Sequence, residues 1–405
     1  QVLGKNALAA VGSAYTLMIF LTSIFLGLSM GAGALFSIYR GNDSDENLRI
    51  AVGQAFSLIM LVTIVLNIAV YILINPIMIF LQVPDEVYRG MKIYLLIIFI
   101  GLIATSLYNF FSCLLRALGN SLVPLIFLAV STVLNIGLDL LFVVVFPWGI
   151  KGAAIATVIS QYVSAIGIVI YVVKSCRELL PKRSEWRLDK KIFKEIINLS
   201  SLTCLQQSVM NFGILMVQGL VNSFGTTIMA AFTAGVKIDT FAYLPVQDFG
   251  NAFSTFVAQN YGAEKHDRIR KGTREAFAIS IIFSIIISAL VCIFAAPLMK
   301  IFVSSKDVEV IAAGVKYLRI EGAFYCGIGC LFLLYGYYRA INKAEMSVVL
   351  TVISLGMRVI LAYILSAIIG ETGIWLAIPI GWVLADITGI AYMKAREKTI
   401  FSKKG

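Results

Sequence analysis

Eleven apolar segments, each long enough to cross a bilayer, follow one another along this chain of 405 residues. They cover about 7–36, 50–75, 91–114, 122–146, 151–173, 196–222, 228–258, 272–296, 314–338, 346–369 and 373–394. A hydrocarbon core of about 30 Å takes roughly 20 apolar residues as helix. Inside it each backbone polar group needs an internal partner, which a helix provides by itself. Only 14% of the residues are charged and 60% are apolar, with a mean hydropathy of +0.91. Ordinary soluble domains carry about 25% charged residues. This balance excludes a soluble enzyme, a disordered chain and a nucleic-acid-binding module, and predicts an all-α polytopic membrane protein. Pro124 suits a first helical turn. Pro245 and Pro379 fall inside segments, where each removes a hydrogen bond and a kink is expected.

The loops set the orientation. One alternating set holds Arg40, Arg49, Arg116, the run Lys174 to Lys194, Lys265 to Arg274, Arg339, Lys343 and the tail from Lys394, which is 23 Lys and Arg residues. The other set holds seven, among them Lys5, Arg89, Lys151 and Lys316. The richer set is expected in the cytoplasm. The basic connector from Lys174 to Lys194, with Pro181 and Trp186, reads as a topology determinant resting on anionic headgroups. Six cysteines form no C-x-x-C pair, and the one histidine, His266, lies in a charged loop. Metal centres, disulfides and enzymatic nucleophile–base sets are therefore not expected. No phosphate-binding G-x-x-x-x-G-K-[ST] loop is present, so nucleotide is not the evident energy source.

The chain also repeats itself. At an offset of 221, Gly4, Phe20, Gly41, Phe56, Pro76 and Met78 meet Gly225, Phe241, Gly262, Phe277, Pro297 and Met299. At 223, Tyr94, Arg116, Ala117 and Ser131 meet Tyr317, Arg339, Ala340 and Ser354. Two homologous bundles are expected, an arrangement that recurs in secondary transporters. The second copy is preceded by the segment 196–222, which has no counterpart before Gly4. The repeat thus predicts a twelve-span parent whose first helix is absent from this sequence. The expected divisions are an amino-terminal lobe 1–180, a basic connector 181–195, a carboxy-terminal lobe 196–396 and a tail 397–405.

Three stretches carry a family resemblance. Leu115-Arg116-Ala117-Leu118-Gly119-Asn120-Ser121 is followed by Val133-Leu134-Asn135-Ile136-Gly137-Leu138-Asp139, then by Trp148-Gly149-Ile150-Lys151-Gly152-Ala153-Ala154. Together they resemble the bacterial branch of the multidrug and toxic compound extrusion (MATE) transporters, over essentially the whole chain. The resemblance implies twelve helices in two six-helix lobes, a V-shaped cavity, and efflux driven by H⁺ or Na⁺ without another cofactor. It also implies a multi-pass protein of the bacterial plasma (inner) membrane that acts as a monomer on small molecules.

Ionisable residues inside spans cost at least about 2.5–3.5 kcal/mol each and call for a function. Ser131, Asn135 and Asp139 recur every four residues, so they form one polar stripe. In the resembling family, an Asp with an Asn one turn earlier makes the amino-lobe cation site, helped by an Asn and a Thr on neighbouring helices. The matching positions are Asp139, Asn135, Asn109 and Thr157. The family also uses an Asp on its first helix, for which this sequence offers no position. In the second copy Asn135 aligns with Arg358 and Asp139 with Ala362, so coupling through this site is expected in one lobe.

Arg358 needs an anion, with Glu321 and Asp386 as candidates, either as a fixed ion pair or in a substrate or gating role. Lys237 and Asp239 point about 200° apart on a helix, while Lys237 and Asp248 share a face. Lys237 is expected to pair across helices or to join the coupling. Ser200, Thr203, Gln207, Asn211, Gln218 and Asn222 recur at helical spacing, as for a wet cavity or for interhelical packing. Tyr243 and Phe241 could stack on a flat cation. The family's sodium-coupled branch places acids where this chain has Gln206 and Gln207, which favours H⁺. The small residues Gly27, Ser29, Gly31 and Gly33 suit close helix approach. The resulting expectation is a cation antiporter for drug-like organic cations or amphipathic compounds, working by alternating access. The alternative is a flippase for lipid-linked oligosaccharides.

Overall fold

The computed structural model describes residues 4–80 and 85–402. Among these all regular structure is helical, without a strand. The helices are α1 (Gly4–Gly41), α2 (Asp45–Ile72), α3 (Ile74–Phe80), α4 (Asp85–Ile98), α5 (Leu102–Ala117), α6 (Leu122–Asp139), α7 (Gly149–Ser175) and α8 (Lys190–Asn222). There follow α9 (Thr226–Gly262), α10 (His266–Ile293), α11 (Ala295–Phe302), α12 (Val308–Gly322), α13 (Tyr325–Ala340), α14 (Ala344–Ile369) and α15 (Glu371–Ser402). Nine helices among the described residues are long and apolar enough to cross a membrane, and the bent pair α12–α13 makes a tenth. The remaining expected span is α9, which is long enough but carries Lys237, Asp239 and Asp248 along its length. The chain divides into two compact units, Gln1–Ser208 and Val209–Gly405.

The repeat extends to details of the breaks. The short helices α3 and α11 begin 221 residues apart. A 3₁₀ turn at Phe99–Gly101 separates α4 from α5, and the break at Ala323 and Phe324 lies about 223 residues further on. There α12 and α13 meet at 50°. Pro245 and Pro379 each lie inside a helix that continues past them.

In unit 1, Phe25, Met78, Met91, Leu95 and Phe99 pack as a buried cluster. The small face of α1 has a specific use. A Cβ on Gly27 would lie 2.5 Å from the Cys204 Cα, and one on Gly31 would lie 2.5 Å from the Leu199 carbonyl oxygen. The backbones of α1 and the first half of α8 therefore touch, and the Ser200 hydroxyl donates to the Leu28 carbonyl at 3.0 Å. Replacing Gly31 with Val should cost about 3 kcal/mol through overpacking. A drop in thermal unfolding temperature in detergent, larger than for Gly219→Ala, checks this. A Cβ at Gly219 meets nothing within 4 Å.

The basic connector is pinned to α2. Arg49 donates from Nε and Nη2 to the Glu185 carboxylate at 2.8–2.9 Å, with both side chains largely buried. The Gln54 amide donates to the Arg187 carbonyl at 2.9 Å. The Arg49 guanidinium holds the Glu185 carboxyl below the usual carboxylate range. Stability from this pair is full above the unfolded carboxylate value of about 4.3 and is lost as pH falls through the lower folded value. Glu185→Gln should therefore cost about 3 kcal/mol near neutral pH. It should also remove part of the acid sensitivity, as thermal unfolding scanned from neutral to acid pH would show.

Candidate functional site

In unit 1 the polar stripe of α6 faces α7. The Ser131 hydroxyl donates to the Ser160 carbonyl at 2.8 Å, and the Asn135 amide donates to the Thr157 hydroxyl at 3.4 Å. Asp139 ends α6, and a π-helical turn, Leu140–Val145, follows it directly. Such turns re-aim side chains and recur at functional sites. The Asp139 carboxyl is partly buried, and its Oδ1 is inaccessible and has no hydrogen-bond partner among the described residues. Tyr94 lies within electrostatic reach of it. Two of the expected residues, Asn135 and Thr157, thus meet between α6 and α7, and Asp139 follows Asn135 by one turn of α6. Asn109 donates instead to the Thr105 carbonyl of its own helix at 2.9 Å, and no hydrogen bond joins it to the stripe among the described residues.

Unit 2 holds a second acid centre, built from other elements. Asp239 on α9 is 5% exposed, Glu321 in the last turn of α12 is 6%, and Arg358 on α14 is 9%. The Tyr317 hydroxyl donates to Asp239 Oδ2 at 2.5 Å, and the Tyr325 hydroxyl donates to Oδ1. Gly235, one turn before Asp239, makes room for this, since a Cβ there would lie 2.4 Å from the Tyr317 ring. Arg358 lies within electrostatic reach of both Glu321 and Asp239, and no ion pair joins them among the described residues. Its Nε and the Glu321 Oε2 are buried and have no hydrogen-bond partner among the described residues. The three charged groups line a cavity of about 180 Å³ with Asn211, Tyr243 and Trp382. Drug-sized sites occupy about 300–1,000 Å³. This cavity suits an ion or a few waters, and its groups tie α9, α12, α13 and α14 together.

The remaining expectations divide. Arg358 has Glu321 for its neighbour and not Asp386. Asp386 is buried elsewhere, beside Gly327, where a Cβ would lie 3.7 Å from Asp386 Oδ2. Lys237 is exposed and makes no ion pair among the described residues, because it occupies the face of α9 opposite Asp239. Phe241 is 77% exposed on that same side, whereas Tyr243 lines the cavity and stacks on Phe332 at 6.3 Å. The polar stripe of α8 does not act as one wet face: Ser200, Thr203 and Gln207 are buried within unit 1, and Asn211 reaches the unit 2 cavity. The expected role of Gln218 is untouched by this, and the side chain of Asn222 lies outside the described residues.

Sequence reasoning missed Tyr317 and Tyr325. The signal was available, since Tyr317, Glu321 and Tyr325 recur every four residues and so share a face. Tyr317 is also the repeat partner of Tyr94. Tyr317 bonds directly to its acid, whereas Tyr94 is only within electrostatic reach of Asp139, and the acids themselves occupy unrelated positions.

The MatE family model matches residues 1–141 and 202–364, more than half of the chain. The chain belongs to the MatE family. A probable multidrug resistance protein of Bacillus subtilis, YpnP, is 29% identical over 397 residues, spanning 97% of this chain and 88% of its own. The probable multidrug resistance protein NorM of Thermotoga maritima is 24% identical, over 94% and 82% of the two chains. An outward-facing multidrug resistance MATE transporter of the MOP superfamily superposes with a TM-score of 0.93 at 21% identity, covering 100% of this chain and 90% of that one. A mutant of the Vibrio cholerae MATE transporter VcmN gives 0.92 at 23%, covering 99% and 91%. These superpositions establish the fold as the MATE fold. As a MatE protein the chain is a transporter of small molecules, not an enzyme, and a multi-pass protein of the plasma membrane.

Proposed function

We propose that this MatE protein exports drug-like organic cations or amphipathic compounds in exchange for protons, with Asp139 as the coupling group and no other cofactor. The carrying observation is the inaccessible Asp139 Oδ1, which no donor reaches among the described residues. An ionised carboxylate left in that state is costly, by about 1–3 kcal/mol or more. A bound proton removes the charge and needs no further ligands. A sodium ion would need several oxygens around it, whereas the neighbouring Thr157 hydroxyl accepts from the Asn135 amide and donates to the Ala153 carbonyl. Conformations that give Asp139 a donor or water favour the ionised form, and this one favours the neutral form, which is how a proton can bias alternating access. The unit 2 centre fits a gate: two carboxyls and one guanidinium carry a net −1, or zero when one carboxyl is protonated. The multidrug names of the relatives support the substrate class, and one chain supplies both centres, so the cycle requires a monomer only.

The energetics allow this. Exchange of one proton for a neutral amphipath uses the membrane potential, about 2.3 kcal/mol per 100 mV, against about 1.4 kcal/mol for a tenfold gradient. Exchange for a monovalent cation is electroneutral and is limited to the pH gradient. Dye uptake into everted vesicles containing the protein, with the pH and sodium gradients collapsed separately, tests the reading. Loss of uptake on collapse of the pH gradient alone is expected. Loss on collapse of the sodium gradient alone would overturn it.

A further inference from the structure

A third charged site lies on the surface of unit 2, away from both acid centres. The first turns of α10, the end of α13 and the last turns of α15 enclose a cleft of about 680 Å³. All three of these ends belong to the loop set rich in Lys and Arg, so the cleft faces the cytoplasmic side.

Four cations line it: Arg270, Lys271, Arg274 and Lys394. Arg270 approaches Asp267 at 3.6 Å and Lys271 approaches Glu275 at 3.9 Å, both in exposed, weak pairs. Arg274 and Lys394 are exposed and make no ion pair among the described residues. Thr273, only 8% exposed, is part of the same wall, and its hydroxyl is buried without a hydrogen-bond partner among the described residues. A buried hydroxyl without a partner is costly, and an anion's oxygen reaching this wall would supply one. The rest of the wall is apolar, with Phe277 and Met393.

The cleft also continues into a greasy surface. Ile281 and Ile285 follow Arg274 by seven and eleven residues, so they stand above it on the same helix face. They are 37% and 57% exposed, and Ile282 and Ile286 beside them are 59% and 53%. As part of a membrane span this face already lies against acyl chains, so a lipid whose head enters the cleft keeps its tails in the bilayer, which a soluble anion does not use. A molecule with an anionic head and long apolar tails matches both parts.

We propose that the cleft binds an anionic phospholipid of the cytoplasmic leaflet. Arg274 and Lys394 hold the phosphate, Thr273 donates to a headgroup oxygen, and the acyl chains lie along the isoleucine face of α10. Basic recesses between spans on this side of a membrane hold such headgroups in general. The site is independent of substrate and of the coupling ion.

Native mass spectrometry of the delipidated protein, titrated with phosphatidylglycerol or phosphatidylcholine, tests the proposal. One phosphatidylglycerol should remain bound, and the double variant Arg274→Gln with Lys394→Gln should weaken it by about thirtyfold. Thr273→Val should weaken it less. The control pair Lys300→Gln with Lys306→Gln, outside the cleft, should leave binding unchanged. Equal retention of phosphatidylcholine, equal binding by the double variant, or displacement by millimolar inorganic phosphate would each overturn the proposal, the last by identifying a soluble-anion site.

Discussion

Cells producing the Asp139→Asn variant should accumulate a cationic dye to the level of cells without the transporter, at unchanged protein abundance. Asn has nearly the shape of Asp but cannot take up or release a proton. The Asp139 Oδ1 accepts no hydrogen bond among the described residues, so the substitution breaks none there, and the thermal unfolding temperature should move little. Loss of export with stability intact separates coupling from folding. Export equal to that of the unsubstituted protein would eliminate Asp139 as the coupling group. Thr157→Val, which breaks the 3.4 Å bond to Asn135, should give a milder defect with its pH profile displaced, because the acid remains and only its surroundings change.

Removing the buried cation of unit 2 should have the largest effect on folding. Arg358→Met leaves Asp239 and Glu321 without their compensating charge, and breaking such an arrangement from one side costs about 3–5 kcal/mol. The unfolding temperature in detergent should fall accordingly. Adding Glu321→Gln should restore most of it, since neighbours in one charged network are not additive. Adding Asp386→Asn should restore nothing, because Arg358 interacts with Glu321 and Asp239 and not with Asp386. Rescue by the Asp386 variant and not by the Glu321 variant would show that the cluster is assigned to the wrong acid.

Much of the architecture could be read before any coordinates. Span lengths follow from bilayer thickness. The repeat announced itself through Gly, Pro and Tyr matches, and the structure carries it into α3, α11 and the breaks near residues 100 and 323. The stripe Ser131–Asn135–Asp139 needed only the pitch of a helix to be placed on one face. The opposition of Lys237 and Asp239 followed in the same way, and it is why one is exposed and the other buried.

The partner of Arg358 could not be read in this way. Glu321 and Asp386 are both acids inside spans, and periodicity treats them alike. What separates them is the 50° bend after Gly322, which lies just beyond Glu321 as it faces Asp239 and the two tyrosines, while Asp386 lies beside Gly327. The pairing of Gly27 and Gly31 with the backbone of α8 was equally hidden, because a stripe of small residues does not name its partner. Sequence alone determined the all-helical membrane character, the duplication and the family, since these depend on local apolarity and motif. The tertiary structure decided which polar groups meet and which are left without a donor, since that depends on helix bends and contacts between residues far apart in the chain.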